Sequence, residues 1–404
     1  MNTKEKICLL QGAFSPLFTF LSDELTKNGA EVIRVNFCAG DRLYSRYDKT
    51  SKIYDYTDMP CDWAEYVKMI FVTGKVDVVV GHGDCHFYNE VAFDVAKELG
   101  IKVVVTEEGY LRPHYITCEE GGVNAKSPLM NEDFSLDMEQ EKLPTSRPME
   151  VAASFKERSL WCANYYFTNW LFKDDYPFYK HRRKASICSE INAWLKTALI
   201  TLRSKGKCDK VVKELVEENK EFYLVPLQVQ CDSQIIKHSD YDGIENFISE
   251  VMESFSKYAS KESVLVFKHH PYCLGFSDYT LVLEYFCNKY DIKDRVIYLK
   301  GGHLPSLLRS AEGVITVNST VGLSSLHHGV PTYVAGRAFF NRTELTHQSG
   351  LDSFWSEKNR PDKAVVKNLF AKIHSRALLN ASLYSNFEHS AKEIAKKILV
   401  ISSK

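Results

Sequence analysis

Gly313-Val-Ile-Thr-Val-Asn-Ser-Thr-Val-Gly-Leu-Ser-Ser-Leu-His-His-Gly-Val-Pro-Thr-Tyr-Val-Ala335 is the stretch whose reading decides the fold. Its first residues, Gly313 to Val317, are a β-branched run that reads as a buried strand. Asn318, Ser319 and Thr320 then open an amphipathic segment that Gly329 and Pro331 close, so Ser319 and Thr320 stand at a helix N-terminus. A second apolar run, Pro331 to Ala335, follows at once. Strand, helix and strand make a parallel α/β unit whose helix start offers backbone N–H groups and hydroxyls to an anion.

Outward from this unit the same alternation recurs. Upstream come the strand Glu221–Val229, a helix from Ile244 to Tyr258, and the strand Ser263–Phe267 running into Lys268-His-His-Pro271. A helix near Leu281–Tyr290, the strand Val296–Leu299 and a helix near Leu304–Ser310 complete that half. The N-terminal half reads alike: strand Ile7–Leu10, helix Leu17–Asn28, strand Val32–Phe37, helix Trp63–Thr73, strand Val76–Val80, helix Asn89–Leu99 and strand Lys102–Thr106. Glu107 to Pro113 is expected to be a loop. The dinucleotide fingerprint G-x-G-x-x-G is absent, although Rossmann-like winding is expected. Gly12, Asp41, His82, Asp84, Glu107 and Glu108 follow strand ends and should line one edge of the first sheet.

Between the halves the pattern breaks. Residues 130–150 are acidic and irregular, and a stretch rich in Trp, Tyr and Phe runs from Trp161 into Lys180-His-Arg-Arg-Lys184 and the basic Arg203–Lys210. It reads either as a helical connector with core aromatics or as a face for an amphiphile or anionic headgroups. The expected organisation is a Rossmann-like acceptor-side domain at 1–125, a helical insertion at 126–215, a Rossmann-like nucleotide-sugar domain at 216–362, and C-terminal helices at 363–404 packing back on the first domain. Two such domains make an α/β fold of the GT-B class the leading reading.

Composition narrows the function class. A formal net charge of −1 over 404 residues gives no basic field for nucleic acid. The 11 cysteines are scattered without C-x-x-C or finger spacing, as expected of a reduced cytoplasmic protein without structural zinc. Neither a signal peptide nor a spanning run is visible, so a cytoplasmic location is expected, with membrane contact only from the cytosolic side.

The chemistry-bearing residues cluster after strands. Lys268, His270 and Pro271, then His303, then Asn318, Ser319 and Thr320 follow three successive strands and suggest a phosphate clamp. Asp232 follows the first strand of the second half; it reads either as a turn or N-cap residue or as a carboxylate nucleophile. Glu107 or Glu108 is a candidate base for an acceptor hydroxyl, the alternative being a Glu that pairs with Arg112 and positions its loop. P-loop, H-E-x-x-H and G-x-S-x-G patterns are absent and no Asp-x-Asp pair stands out, so no metal is expected.

These motifs resemble the capsule polysaccharide biosynthesis family. The resemblance rests on Leu10-Gln-Gly12, Asn36-Phe37, Gly40-Asp41, Glu107-Glu-Gly-Tyr-Leu-Arg-Pro113, Ile116-Thr-Cys-Glu-Glu-Gly-Gly-Val-Asn124, Gln228-Val with Asp232-Ser-Gln-Ile235, His270-Pro271 and Val317-Asn-Ser-Thr-Val-Gly322. It is strongest to the KpsS-like branch of bacterial β-Kdo transferases. It implies a metal-independent, retaining GT-B glycosyltransferase that moves Kdo from CMP-Kdo to a phosphatidylglycerol-type lipid at the inner face of the cytoplasmic membrane. A KpsC-like transferase would be its companion in a capsule complex. Carried onto this sequence, Asp232 is the nucleophile and Glu108 or Glu107 the acid or base. His270, Pro271, Ser319 and Thr320 hold CMP, and Gln11, Gly12, Asp41, Tyr110, Arg112 and Asn124 lie on the acceptor side. A transferase that extends an existing Kdo linker, an inverting sugar transferase, a nucleotide-sugar epimerase and a non-catalytic export scaffold remain alternatives.

Overall fold

The computed structural model describes residues 4–135, 143–144, 146–181, 187–228, 235 and 237–403. They fall into two compact units, Met1–Leu129 with Glu141–Ile187 and Ala371–Lys404, and Met130–Gln140 with Cys188–Phe370. The stretch 126–215 is therefore shared between units: the helix Phe155–Leu171 belongs to the first, and nearly all of the helix Ile187–Glu217 to the second. The strands are β1 (Lys6–Leu9), β2 (Glu31–Asn36), β3 (Lys52–Asp55), β4 (Val78–His82), β5 (Lys102–Glu108), β6 (Ile116–Glu120), β7 (Phe222–Pro226), β8 (Val264–Lys268), β9 (Val296–Leu299), β10 (Gly313–Thr316), β11 (Thr332–Val334) and β12 (Leu378–Leu379).

The first sheet has the order β12-β6-β5-β4-β1-β2-β3. Its parallel part, β3-β2-β1-β4-β5, is Rossmann winding, extended at one edge by the antiparallel β6 and β12. Alternate residues serve opposite faces: Ile7 and Leu9 pack with the helices Leu17–Lys27 and Phe387–Ser402, and Cys8 and Leu10 with the helices Trp63–Gly74 and Phe87–Glu98. Burial on both faces explains why these strands read as continuous apolar runs. The second sheet, β11-β10-β7-β8-β9, is wholly parallel and wound in the same sense.

Several elements differ from the expectation, β6 and β12 among them. Lys52–Asp55 and the helix Ala39–Ser45 are extra elements in what reads as loop. β5 also runs on past Thr106: Glu107 and Glu108, expected in a loop, are its last rungs, opposite Thr117 and Ile116 of β6. The antiparallel neighbour supplies ladder partners that a parallel-only reading does not anticipate.

Rossmann winding reverses direction between the first and fourth strands, and there the chain leaves β1 and β4 toward opposite faces of the sheet. One side chain closes that gap. Asn89, fully buried, donates its amide to the carbonyls of Gln11 at 3.3 Å, His82 at 3.0 Å and Gly83 at 3.1 Å. Asn89→Leu keeps the branched shape but removes a donor from three buried carbonyls, of which that of Gln11 keeps another, the His82 N–H, so unfolding in urea should show a loss of roughly 2–4 kcal/mol. Wild-type stability in that variant would mean that water supplies the missing donor.

Candidate active site

In the first unit the strand ends bring Gln11, Gly12 and Asp41 of the expected acceptor-side residues together, while Tyr110 with Asn124, and Arg112, lie in other contacts. Gln11 donates to Asp41 at 3.1 Å, Tyr165 at 3.1 Å and Tyr179 at 2.9 Å, and Tyr165 donates to the other Asp41 oxygen at 2.9 Å. Asp41 also accepts from the Phe37 amide at 3.1 Å, and the Gly40 amide donates to Asn169 at 2.6 Å. Gln11 and Asp41 are buried and committed to this network, which ties the ends of β1 and β2 to the helix Phe155–Leu171. A Cβ on Gly12 would lie 2.8 Å from the Phe18 ring, so glycine there keeps room for a core aromatic. Tyr165, Tyr179 and Asn169 escaped the sequence reading because they lie more than a hundred residues from their partners.

The paired glutamates separate by environment. Glu108 Oε1 is 2.8 Å from Arg158, whose guanidinium also lies over the Tyr384 ring. The pairing partner is thus Arg158 and not Arg112, which donates to the Gly109 carbonyl at 3.2 Å. Glu107 lies 4.0 Å from His82 Nε2 and is about 29% exposed. Desolvation pushes its carboxyl up to about 7, and the neighbouring charges of Glu108 and Asp84 push the same way. A carboxyl in that range changes protonation near neutral pH, as proton transfer requires. His82 is itself buried, with Thr106 Oγ1 at 3.4 Å from its Nδ1.

Glu119, near the end of β6, is a second buried carboxyl, also pushed to about 7 by burial. It accepts from Tyr110 at 2.7 Å and Ser127 at 2.6 Å, and the Tyr110 hydroxyl accepts from the Asn124 amide at 2.7 Å. Tyr110, expected to touch an acceptor, is instead a buried brace, and Asn124 sits at φ +57 in the left-handed region that asparagine tolerates.

In the second unit β10, the helix Thr320–His327 and β11 form the unit that Gly313–Ala335 encodes. Ser319 is the N-cap, its hydroxyl accepting from the Val321 amide at 3.2 Å. The winding reverses between β7 and β10, and two residues span that point: the Gln228 side chain donates to Asn318 Oδ1 at 3.3 Å, and the Asn318 backbone N–H donates back to Gln228 Oε1 at 3.3 Å. Asp232 lies outside the described residues. Chain order is not sheet order here. β7 lies between β8 and β10, so the Lys268 and Ser319 loops stand about 10 Å apart, two strand spacings. Lys268 donates to the Gly301 carbonyl at 3.3 Å, and burial lowers its pKa. His303 is exposed and paired with Ser306 at 2.9 Å. The residues expected to clamp one phosphate are thus two groups: Ser319 and Thr320 at the reversal point, and Lys268 with half-buried His270 and exposed Pro271 toward β9. Of the doubled histidines, His269 is the buried one, bonded to Tyr298. Asp240 and Asp242 do have Asp-x-Asp spacing, unnoticed in the sequence reading; Asp240 is ion-paired to Arg337 at 2.8 Å.

Comparison with known proteins agrees with the motifs. Residues 77–384 match the family described as capsule polysaccharide biosynthesis protein. The chain is 34% identical over 382 residues to the capsule polysaccharide export protein KpsS of Escherichia coli, covering 94% of this chain and 97% of that one. It is 34% identical over 396 residues to the capsule polysaccharide modification protein LipB of Neisseria meningitidis serogroup B, covering 95% and 93%. Among solved structures, Thermosulfurimonas dismutans KpsC, a beta Kdo 2,7 transferase, aligns at a TM-score of 0.43 and 13% identity over 98% of this chain and 99% of that one. A UDP-N-acetylglucosamine 2-epimerase from Listeria monocytogenes aligns at 0.33 and 11% identity over 98% and 95%. With a family match across most of its length and relatives a third identical from end to end, this chain belongs to the capsule polysaccharide biosynthesis family.

Proposed function

We propose that this protein is a retaining glycosyltransferase that moves Kdo from CMP-Kdo to a phosphatidylglycerol-type lipid at the inner face of the cytoplasmic membrane, at the start of the capsule linker. Family membership supports the setting. Glu107 supports the enzymatic reading over that of an export scaffold. Glu119, equally shifted, is locked to Tyr110 and Ser127, whereas Glu107 is about 29% exposed beside buried His82, so a carboxyl pushed to about 7 there is within reach of an incoming hydroxyl. A KpsC-like transferase extending the linker is the companion this reading assigns.

In this mechanism the nucleotide phosphate lies at the Ser319–Thr320 helix start, where the helix dipole and backbone N–H groups favour an anion. Lys268 and His270 face other parts of the donor. Asp232 attacks C2 of Kdo; the C2–O bond to phosphate breaks and its electron pair leaves with CMP. The acceptor hydroxyl then attacks C2 on the opposite face, gives its proton to ionised Glu107, and releases the Asp232 carboxylate. Two inversions give net retention. The leaving phosphate is stabilised by these donors, without a metal ion.

Asp232→Asn should lower kcat by on the order of 10³-fold or more while thermal unfolding stays unchanged, because an amide is a poor nucleophile. Turnover near wild type would remove Asp232 from the mechanism, and an inverted product anomer would replace double displacement with direct attack.

For Glu107 the sign is definite. The base must be ionised, so kcat/KM should rise with pH and level off above about 7, and Glu107→Gln should be slow at every pH. Stability runs the other way. The folded carboxyl holds its proton more tightly than the unfolded one, so stability is lost as pH rises from the ordinary carboxylate range through about 7. Between pH 5 and pH 8, Glu107→Gln should therefore gain about 1–3 kcal/mol relative to wild type in urea unfolding. A pH-independent difference would mean that Glu107 is already ionised at pH 5.

A further inference from the structure

The helix Ile187–Glu217 changes its role along its length. Toward its C-terminus, Cys208, Val212 and Leu215 are core residues against Phe222, Leu224 and Val266 of the second sheet. Further back it is seated on Gly275, where any Cβ would stand 1.8 Å from the Ala193 carbonyl, and Trp194 lies against Phe276 at 6.5 Å. Both contacts fix its rotation. The face left outward carries Leu195, Leu199 and Leu202, which are 66%, 45% and 79% exposed. Their i, i+4, i+7 spacing makes one stripe.

The charges beside the stripe are of one sign. Between Ile191 and Cys208 there are four basic residues, Lys196, Arg203, Lys205 and Lys207, and no acidic one. A rim against another protein ordinarily mixes both signs, whereas leucines and a tryptophan beside cations fit acyl chains under anionic headgroups. No helix among the described residues is long and apolar enough to cross a membrane, so such contact is in-plane. We propose that the Trp194–Lys207 face of this helix docks on a bilayer containing anionic phospholipid.

The same helix supports the donor side of the second sheet. Gly302, at φ +92, rests on it: an added Cβ would lie 2.6 Å from Val212, and Lys268 binds the carbonyl of the adjoining Gly301. Leu202 and Val212 are ten residues apart, about 15 Å of helix. A bilayer held at Leu202 is thereby set at a fixed depth from the loop that follows β9. This deepens the membrane part of the proposed function, but lipid binding is measured without donor or acceptor, so the two stand or fall separately.

The test is sedimentation of the full-length protein with vesicles of phosphatidylcholine alone or with one-third phosphatidylglycerol. Binding should require phosphatidylglycerol, weaken as NaCl is raised, and fall at least tenfold in the triple variant Leu195→Glu, Leu199→Glu, Leu202→Glu with unchanged thermal unfolding. If that variant fails to fold, the wild-type protein still decides the matter. Its tryptophan emission should be quenched by brominated lipid in the vesicles, and Trp194→Phe should lose that component. Unaltered vesicle binding by the triple variant overturns the proposal. So does the absence of binding by wild type, or a wild-type dimer in light scattering that the variant abolishes. Vesicle binding without any sugar transfer would leave the docking face standing and remove the transferase reading.

Discussion

Everything at the candidate sites depends on how each sheet closes where its winding reverses. The strands on either side of that point send their chains to opposite faces, and their last carbonyls and N–H groups lose ladder partners. Both units answer with a side-chain amide. Asn89 bridges β1 and β4 in the first, and Gln228 with Asn318 bridges β7 and β10 in the second. An amide suits this task because it brings no charge into a buried place: Asn89 donates only, whereas Gln228 both donates and accepts. Two of the groups at the candidate sites stand on these bridged ends. His82 is held through its own carbonyl, and Ser319 follows Asn318 directly.

Against that neutral framework the charged groups stand out. Glu107 and Glu108 are consecutive in a strand, so their side chains leave on opposite faces and meet different surroundings. One finds Arg158; the other finds His82, and the charge of Arg112 acts on it too weakly to offset its burial. Two glutamates that look alike in sequence are thereby divided between a brace and a proton-exchanging group.

The parallel strands and the helices between them were legible because they are apolar runs punctuated by glycine, proline and small polar caps; the helices Ile244–Tyr258 and Leu304–Ser310 have the bounds read from sequence. β3, β6 and β12 were not legible. β3 and β12 are edge strands of four and two residues, β12 pairing with a strand more than 250 residues away, and β6 pairs antiparallel where a parallel sheet was expected. The site was half legible for the same reason. Strand-end position identified Gly12, Asp41, Glu107 and Ser319, and the resemblance Gln11, but what each one touches is tertiary information. That Tyr110 is a brace, that Glu108 belongs to Arg158, and that β7 separates Lys268 from Ser319 follow from sheet order and packing alone.

The helix Phe387–Ser402 packs against Leu17–Lys27 in the core of the first unit, supplying Ile394, Ile398 and Ile401. That arrangement sets an order of events during synthesis. Most of the first sheet leaves the ribosome early, yet one face of it is covered only in part, by Leu17–Lys27, until the helix Phe387–Ser402 is made. The second unit, nearly continuous from Cys188 to Phe370, has its full core beforehand. Domains fold as their chain emerges, so here the half translated first matures last, and a ribosome stalled near residue 370 presents a finished second unit beside an apolar sheet face in want of the rest of its cover.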